Sequence, residues 1–159
     1  MATFRGRSFH TLDSKGRVSI PVEFRAQLEG ENREPPILTN GKDCLELYPY
    51  EAWLEREEIF AQLPAADADM QRYVRFKMAG ATSCPIDKQG RILIPAHLRD
   101  WAELEREVVL SSANRWLELW DKARYAADMD FIKSNHDDFA SRVADLERTM
   151  FGGARRGGA

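Results

Sequence analysis

Cysteine and histidine are scarce in this chain: its 159 residues hold two of the first and three of the second. Two cysteines, Cys44 and Cys84, cannot build a disulfide framework, so the expected setting is a reducing cytoplasm. Two isolated cysteines and three scattered histidines also lack metal-ligand spacing, and no metal or cofactor is expected. No apolar run approaches the ~18 residues of a membrane span. Residues 1–10 carry Arg5 and Arg7 without the apolar stretch of a secretory signal. A glycine-rich phosphate loop is missing too, since Gly152-Gly153 has no helix after it. Nor is there an excess of positive charge. The net charge is −3, which taken whole speaks against a nucleic-acid partner.

The distribution of that charge says otherwise. Residues 1–30 carry +2, 31–71 carry −7, 72–99 carry +5, 100–150 carry −5 and 151–159 carry +2. Solvated helix faces explain most charge runs, but this alternation points to a duplication. Residues 10–29 and 84–103 align at an offset of 74 with seven of twenty positions identical: Asp13/Asp87, Gly16/Gly90, Arg17/Arg91, Ile20/Ile94, Pro21/Pro95, Arg25/Arg99 and Glu29/Glu103. A second block follows at an offset of 72, where Leu45–Tyr48 matches Leu117–Trp120. Two matches in order establish a repeat. Each copy is too short to bury much core alone, so the two are expected to share one.

Within each repeat the pattern predicts a strand (Phe9–Leu12; Thr82–Ile86) and a second strand that partners it (Arg17–Ile20; Arg91–Ile94). Between them lies an Asp-to-Gly turn. Pro21 and Pro95 suit the first position of short helices over Val22–Leu28 and Ala96–Ala102, with Gly30 closing the first. Two further strands follow in each copy. Asn40-Gly41 is a strong hairpin signal between the first pair, and Ala113-Asn114 a weaker one. Helices are predicted over Pro49–Leu63 and Asp69–Ala79. Two more follow in the second half, one capped by Asp121 and running to about Ser134, the other over His136–Met150. Their apolar stripes, Phe139, Val143, Leu146 and Met150 among them, suit core or a subunit interface. Phe151–Ala159 is glycine-rich with two arginines; it is expected to be disordered, with a basic DNA-touching arm as the alternative.

No His, Cys or Ser repeats together with the Asp-Gly-Arg loop, so a duplicated active site, and hence an enzyme, is not expected. Arginine makes a different case. A guanidinium at a loop tip can grip phosphate, or guanine O6 and N7, as a bidentate fork. Asp13 and Asp87 can lock the turn or brace the arginine, while Gly16 and Gly90 permit the turn itself. Lys15, Lys88 and Gln89 can reach phosphates or base edges. An Asp–Arg pair that only stabilises a turn is the competing reading, favoured for the aspartates; for Arg17 and Arg91 the +5 window tilts the balance to nucleic-acid binding.

At this point F-R-G at 4–6, L-D-S-K-G-R at 12–17, I-P-V-E-F-R at 20–25, I-D-K-Q-G-R-I-L-I-P at 86–95 and L-E-L-W-D at 117–121 resemble the MraZ family over residues 4–150. The resemblance implies an α+β fold: a swapped-hairpin, AbrB-like β-barrel made by two internal repeats and decorated by helices. It divides the chain into SpoVT-AbrB-like repeats at 1–80 and 81–150 and a tail at 151–159. It implies a cytoplasmic, nucleoid-associated regulator of the division and cell-wall gene cluster, including its own promoter. Double-stranded DNA carrying short direct repeats would be the partner, bound by a ring-shaped homo-oligomer, with no membrane and no small-molecule substrate. On this basis Asp13, Lys15, Gly16, Arg17, Asp87, Lys88, Gln89, Gly90 and Arg91 form the DNA-binding set. Gln89 departs from Lys15, so the two loops need not read DNA equally. Ser111-Ser112-Ala113 stands where the family usually has a glycine, which bears on how tight that hairpin is. A protein-interaction module of the antitoxin type, gripping its partner through helical stripes and tail, is the alternative.

Overall fold

Eight short strands and five helices follow one another along the chain in a computed structural model that describes residues 2–152. They are β1 (Arg7–Thr11), β2 (Arg17–Ser19), α1 (Val22–Leu28), β3 (Ile37–Asn40), β4 (Leu45–Tyr48), α2 (Tyr50–Gln62) and α3 (Ala68–Gly80). The second copy supplies β5 (Thr82–Ser83), β6 (Arg91–Leu93), α4 (Ala96–Trp101), β7 (Glu107–Ser112), β8 (Leu117–Asp121) and α5 (Lys122–Phe151). Residues up to Arg124 form one compact unit, and Tyr125 onward a second.

The pairing runs between copies. The predicted partners within each copy, β1 with β2 and β5 with β6, do not form a ladder. Instead β1 pairs antiparallel with β7, from Arg7 opposite Ser111 to Thr11 opposite Glu107, and its counterpart β5 pairs with β3. Strand β4 lies against β8. The result is a six-stranded antiparallel sheet in the order β1-β7-β8-β4-β3-β5, with β2 and β6 forming a separate two-stranded ribbon. Each copy's first strand is thus given to the other copy's sheet. The fold is α+β, but the expected closed barrel is not formed: among the described residues no ladder joins the edge strands β1 and β5, or the ribbon to the sheet. The ribbon is only three residues long on each side, and Pro21 and Pro95 bring no N–H to extend it.

Alternation places one residue of each ribbon strand inward. Val18 and Ile92, opposite each other in register, are buried, while Arg17, Ser19 and Leu93 face outward or lie half-exposed. Ile20 and Ile94 follow, both fully buried. Repeat-related pairs such as Phe24/Leu98, Leu38/Leu110 and Leu47/Leu119 line the same core, as two half-domains sharing one interior must. Both cysteines are buried and free. Burial pushes the Cys84 thiol up to about 12, so neither is set up for nucleophilic or ligand chemistry.

Several local expectations are corrected. Pro21 and Pro95 stand one position earlier than expected, as the N-caps of α1 and α4, with extended ψ of 141° and 147°. Helix α1 ends at an extended Glu29, and Gly30 has no left-handed conformation. Asn40-Gly41 makes no two-residue turn: Asn40 still pairs with Leu45, and Gly41 N–H donates to Cys44 O at 2.8 Å, giving a wider loop. In the second copy Asn114 takes the left-handed conformation, with φ of 70°. The helices expected at either side of Ser134 are one helix, α5. No proline or glycine interrupts 134–136, and the Asn135 amide donates to Phe131 O within the helix instead of capping a new one. Asp121 caps α5 as expected, accepting from the N–H groups of Ala123 and Arg124. Within α5, Ile132, Val143, Leu146 and Met150 are exposed. Of the tail expected over 151–159, Phe151 ends α5 and Gly152 makes a turn; the rest lies outside the described residues.

Helix α3 is fastened through a buried charge. Lys77, 4% exposed, donates to both carboxylate oxygens of Glu46 on β4, at 2.9 and 2.8 Å, and to Asn40 O at 2.6 Å. Tyr48 Oη donates to the same carboxylate at 2.7 Å. The main-chain carbonyl of Lys77 accepts from the Thr39 hydroxyl at 2.7 Å.

Candidate nucleic-acid interface

The two repeated loops are built alike. In the first, Asp13 Oδ1 accepts from the N–H groups of Lys15 and Arg17, both at 2.9 Å, and Oδ2 accepts from Arg17 Nε at 2.7 Å. In the second, Asp87 Oδ1 accepts from Gln89 and Arg91 N–H at 2.9 Å, and Oδ2 from Arg91 Nε at 3.1 Å. Main-chain bonds close each turn: Gly16 N–H to Asp13 O, and Gly90 N–H to Asp87 O. The glycines have φ of 81° and 78°, a conformation that a side chain would strain. One aspartate per loop therefore does two things. It fixes the turn through the backbone and orients the guanidinium that follows.

The aspartates titrate low for the same reason. Backbone N–H donation from Arg17, then the Arg17 side chain and Lys15 N–H, hold the Asp13 carboxyl down to about 2, against some desolvation. Arg91 N–H leads the same set of causes at Asp87, which is also lowered.

The ribbon brings the loops together. Antiparallel pairing puts Arg17 opposite Leu93 and Arg91 opposite Ser19, so the two arginines leave the same short ladder. Ile20 N–H donates to Gly90 O and Ile94 N–H to Gly16 O, both at 2.8 Å, tying each loop to the other copy's strand. Arg91 Nη1 reaches Asp13 Oδ2 at 3.8 Å, so the acid of one loop faces both arginines. Lys15, Lys88 and Gln89 are exposed at the tips. Asp13, Gly16, Arg17, Asp87, Gly90 and Arg91 thus form one connected cluster. The three tip side chains extend beyond it.

Arg25 and Arg99 are a part that sequence reasoning left without a role. Both guanidiniums lie over the loop glycines, Arg99 over Gly16 and Arg25 over Gly90. The signal was present, since the two are among the seven identical positions of the repeat. The histidines stay apart from the loops' hydrogen bonds. His10 Nε2 pairs with the Ser8 hydroxyl at 2.6 Å, and burial lowers its pKa. Among the described residues no group of three or more His, Cys, Asp or Glu side chains is placed to hold a metal ion, and no helix is long and apolar enough to cross a membrane.

Comparison with known proteins matches the chain to a family. The family model described as "MraZ protein, putative antitoxin-like" matches residues 3–76 and again 78–145. A transcriptional regulator MraZ of Pediococcus pentosaceus is 42% identical over 144 residues, covering 90% of this chain and 98% of that protein. Proteins of the same name from Desulfitobacterium hafniense and Halothermothrix orenii are 40% and 38% identical over 144 residues, each covering 90% of this chain and 96% and 98% of their own. With both copies matched by the family model and such relatives aligned over almost their whole length, the chain belongs to the MraZ family.

Proposed function

We propose that this chain is a sequence-specific DNA-binding transcriptional regulator that reads double-stranded DNA with the paired loops at 13–17 and 87–91. The observation that carries this reading is the ribbon. It presents two arginines from the diagonal ends of one short ladder, each already oriented by an aspartate through Nε. The terminal nitrogens are the fork that grips phosphate or a guanine edge. Preorientation lowers the ordering cost of that grip. The relatives' name, transcriptional regulator, supports the same role and a regulator rather than an enzyme.

The finer reading follows the family resemblance. The target is the division and cell-wall gene cluster with the protein's own promoter, recognised as short direct repeats, and the protein is nucleoid-associated. The strand exchange between repeats 1–80 and 81–150 is the swapped hairpin of the AbrB-like fold. A ring-shaped homo-oligomer repeats the loop pair at regular intervals, so weak contacts combine by avidity, and rotationally related subunits suit direct repeats. The exposed Val143, Leu146 and Met150 of α5 supply apolar surface for such contacts.

Replacing Arg17 and Arg91 together by alanine abolishes retardation of the upstream promoter fragment in a gel, with circular dichroism unchanged. A folded double variant that still shifts the fragment refutes the reading. A stoichiometric protein partner recovered from lysate without promoter enrichment supports the antitoxin-type alternative instead.

A further inference from the structure

The loop glycines are covered from across the repeat. A Cβ added to Gly16 would stand 2.8 Å from Cζ of Arg99, and one on Gly90 would fall within the guanidinium of Arg25. Gly16 belongs to the first copy and Arg99 to the second; Gly90 belongs to the second and Arg25 to the first. Each arginine therefore serves the loop that is not its own. Arg25 sits on α1 and its Nε donates to Ile20 O at 2.7 Å, while Ile20 N–H donates to Gly90 O at 2.8 Å. The guanidinium, the Ile20 main chain and the Gly90 carbonyl form one chain of contacts. On the other side Ile94 N–H holds Gly16 O at 2.8 Å. There, Arg99 Nε is buried and makes no hydrogen bond among the described residues. Arg25 is thus anchored by packing and a hydrogen bond, Arg99 by packing.

We propose that Arg25 and Arg99 are positioning residues for the DNA-reading arginines, each setting in trans the loop of the opposite repeat. The proposal rests on the DNA-binding reading above. Each guanidinium occupies the space that a Cβ on the glycine would take, so the glycine makes room for the arginine of the opposite repeat. The left-handed glycine fixes the direction in which Arg17 or Arg91 departs one residue later. The covering arginine limits how far that glycine can relax. A lysine carries the same charge but no plane, and cannot replace it. Neither loop is complete within its own copy.

Hydrogen–deuterium exchange on the full-length protein tests the assignment, read separately over 13–17 and 87–91. Arg25→Gln is expected to speed exchange several-fold over 87–91 and leave 13–17 near wild type. Arg99→Gln is expected to do the reverse, with the smaller effect. Affinity for a duplex taken from immediately upstream of the protein's own gene falls about tenfold with either change, equivalent to about 1.4 kcal/mol. Arg25→Lys keeps stem and charge and serves if the glutamine variant fails to fold; it too is expected to loosen 87–91. Unmoved exchange in the opposite loop overturns the proposal, as does exchange changed equally in both loops or full restoration by lysine. Folded variants that bind the duplex as tightly as wild type overturn it as well. If wild type itself does not bind the duplex, the functional reading fails, and the exchange pattern alone decides whether the loops are set in trans.

Discussion

Replacing Lys77 by methionine tests whether the buried ion pair on α3 is as costly to break as its surroundings imply. The side chains of Lys77 and Glu46 are 5% and 12% exposed, and the ammonium has three acceptor contacts within 2.9 Å. Methionine fills most of the volume, so the cavity term is small. The loss comes from stranding the Glu46 carboxylate, which keeps only the Tyr48 hydroxyl. Removing one partner of a buried pair costs about 3–5 kcal/mol. For a chain of this size each kcal/mol moves Tm by about 2–4 °C, so the expected drop is roughly 6–20 °C. Glu46→Gln on top of Lys77→Met removes the stranded charge. The new amide carries no charge and its oxygen still accepts from Tyr48. The double variant is therefore expected to recover at least about 2 kcal/mol, a coupling of the size found for residues in contact. Thermal or urea denaturation at one fixed protein concentration measures all four corners of the cycle. A Lys77→Met cost below about 1 kcal/mol, or simple addition in the double variant, refutes the reasoning.

Three other outcomes are expected. Lys15→Gln and Lys88→Gln each lower the slope of log affinity against log salt by about 0.9 without changing base preference, since exposed tip lysines meet phosphate; anisotropy titrations at several salt concentrations show it, and an unchanged slope argues against phosphate contact. The Asp13 carboxyl is depressed to about 2 and Asp87 is also lowered, so their contribution to loop order is fully present above the usual carboxylate range near 4. For Asp13 it is lost as pH falls through about 2; for Asp87 it is lost below the usual carboxylate range. Protection over 13–17, taken relative to the intrinsic exchange rate at each pH, should therefore fall between pH 4 and pH 2, and Asp13→Asn should flatten that profile. Ile94→Ala empties a fully buried site and costs about 2–5 kcal/mol by denaturant melt; it also loosens Gly16, whose carbonyl Ile94 N–H holds.

How much was legible beforehand depends on the range of the interaction. The Asp-Gly-Arg loops could be read because their bonds are local: Asp13 meets Lys15 and Arg17, two and four residues on. The strands at 17–20 and 91–94 followed from short β-branched runs and are found at Arg17–Ser19 and Arg91–Leu93. The partner of each strand could not be read, because period-two patterning marks an inward face without saying which strand lies beside it. Choosing β7 for β1 requires knowing that the two copies exchange strands. Arg25 and Arg99 show the same limit. Their identity in the repeat was visible, but eight residues downstream of a loop arginine nothing local points to the opposite loop. Asn40-Gly41 failed for a smaller reason: Asn40 stays in the ladder opposite Leu45 and Gly41 N–H bonds Cys44 O, so the chain reverses at Lys42-Asp43 instead. Helix α5 was divided on the polar stretch around Asn135, whose amide is instead satisfied within the helix.

The exchange of first strands also governs when this chain can fold. Strand β1 waits for β7, about a hundred positions later, and the β2–β6 ladder also joins distant residues. On a ribosome the first copy would emerge with its opening strand and ribbon strand unpaired, and β3 without its edge partner β5. The hairpins β3–β4 and β7–β8 are local and form as their strands emerge, but the loop at 13–17 acquires its cross-copy bonds only after residues 90–99 have been made. A chain that stops short of these residues therefore holds no assembled loop pair, and any contact with DNA that needs both arginines waits for the second copy.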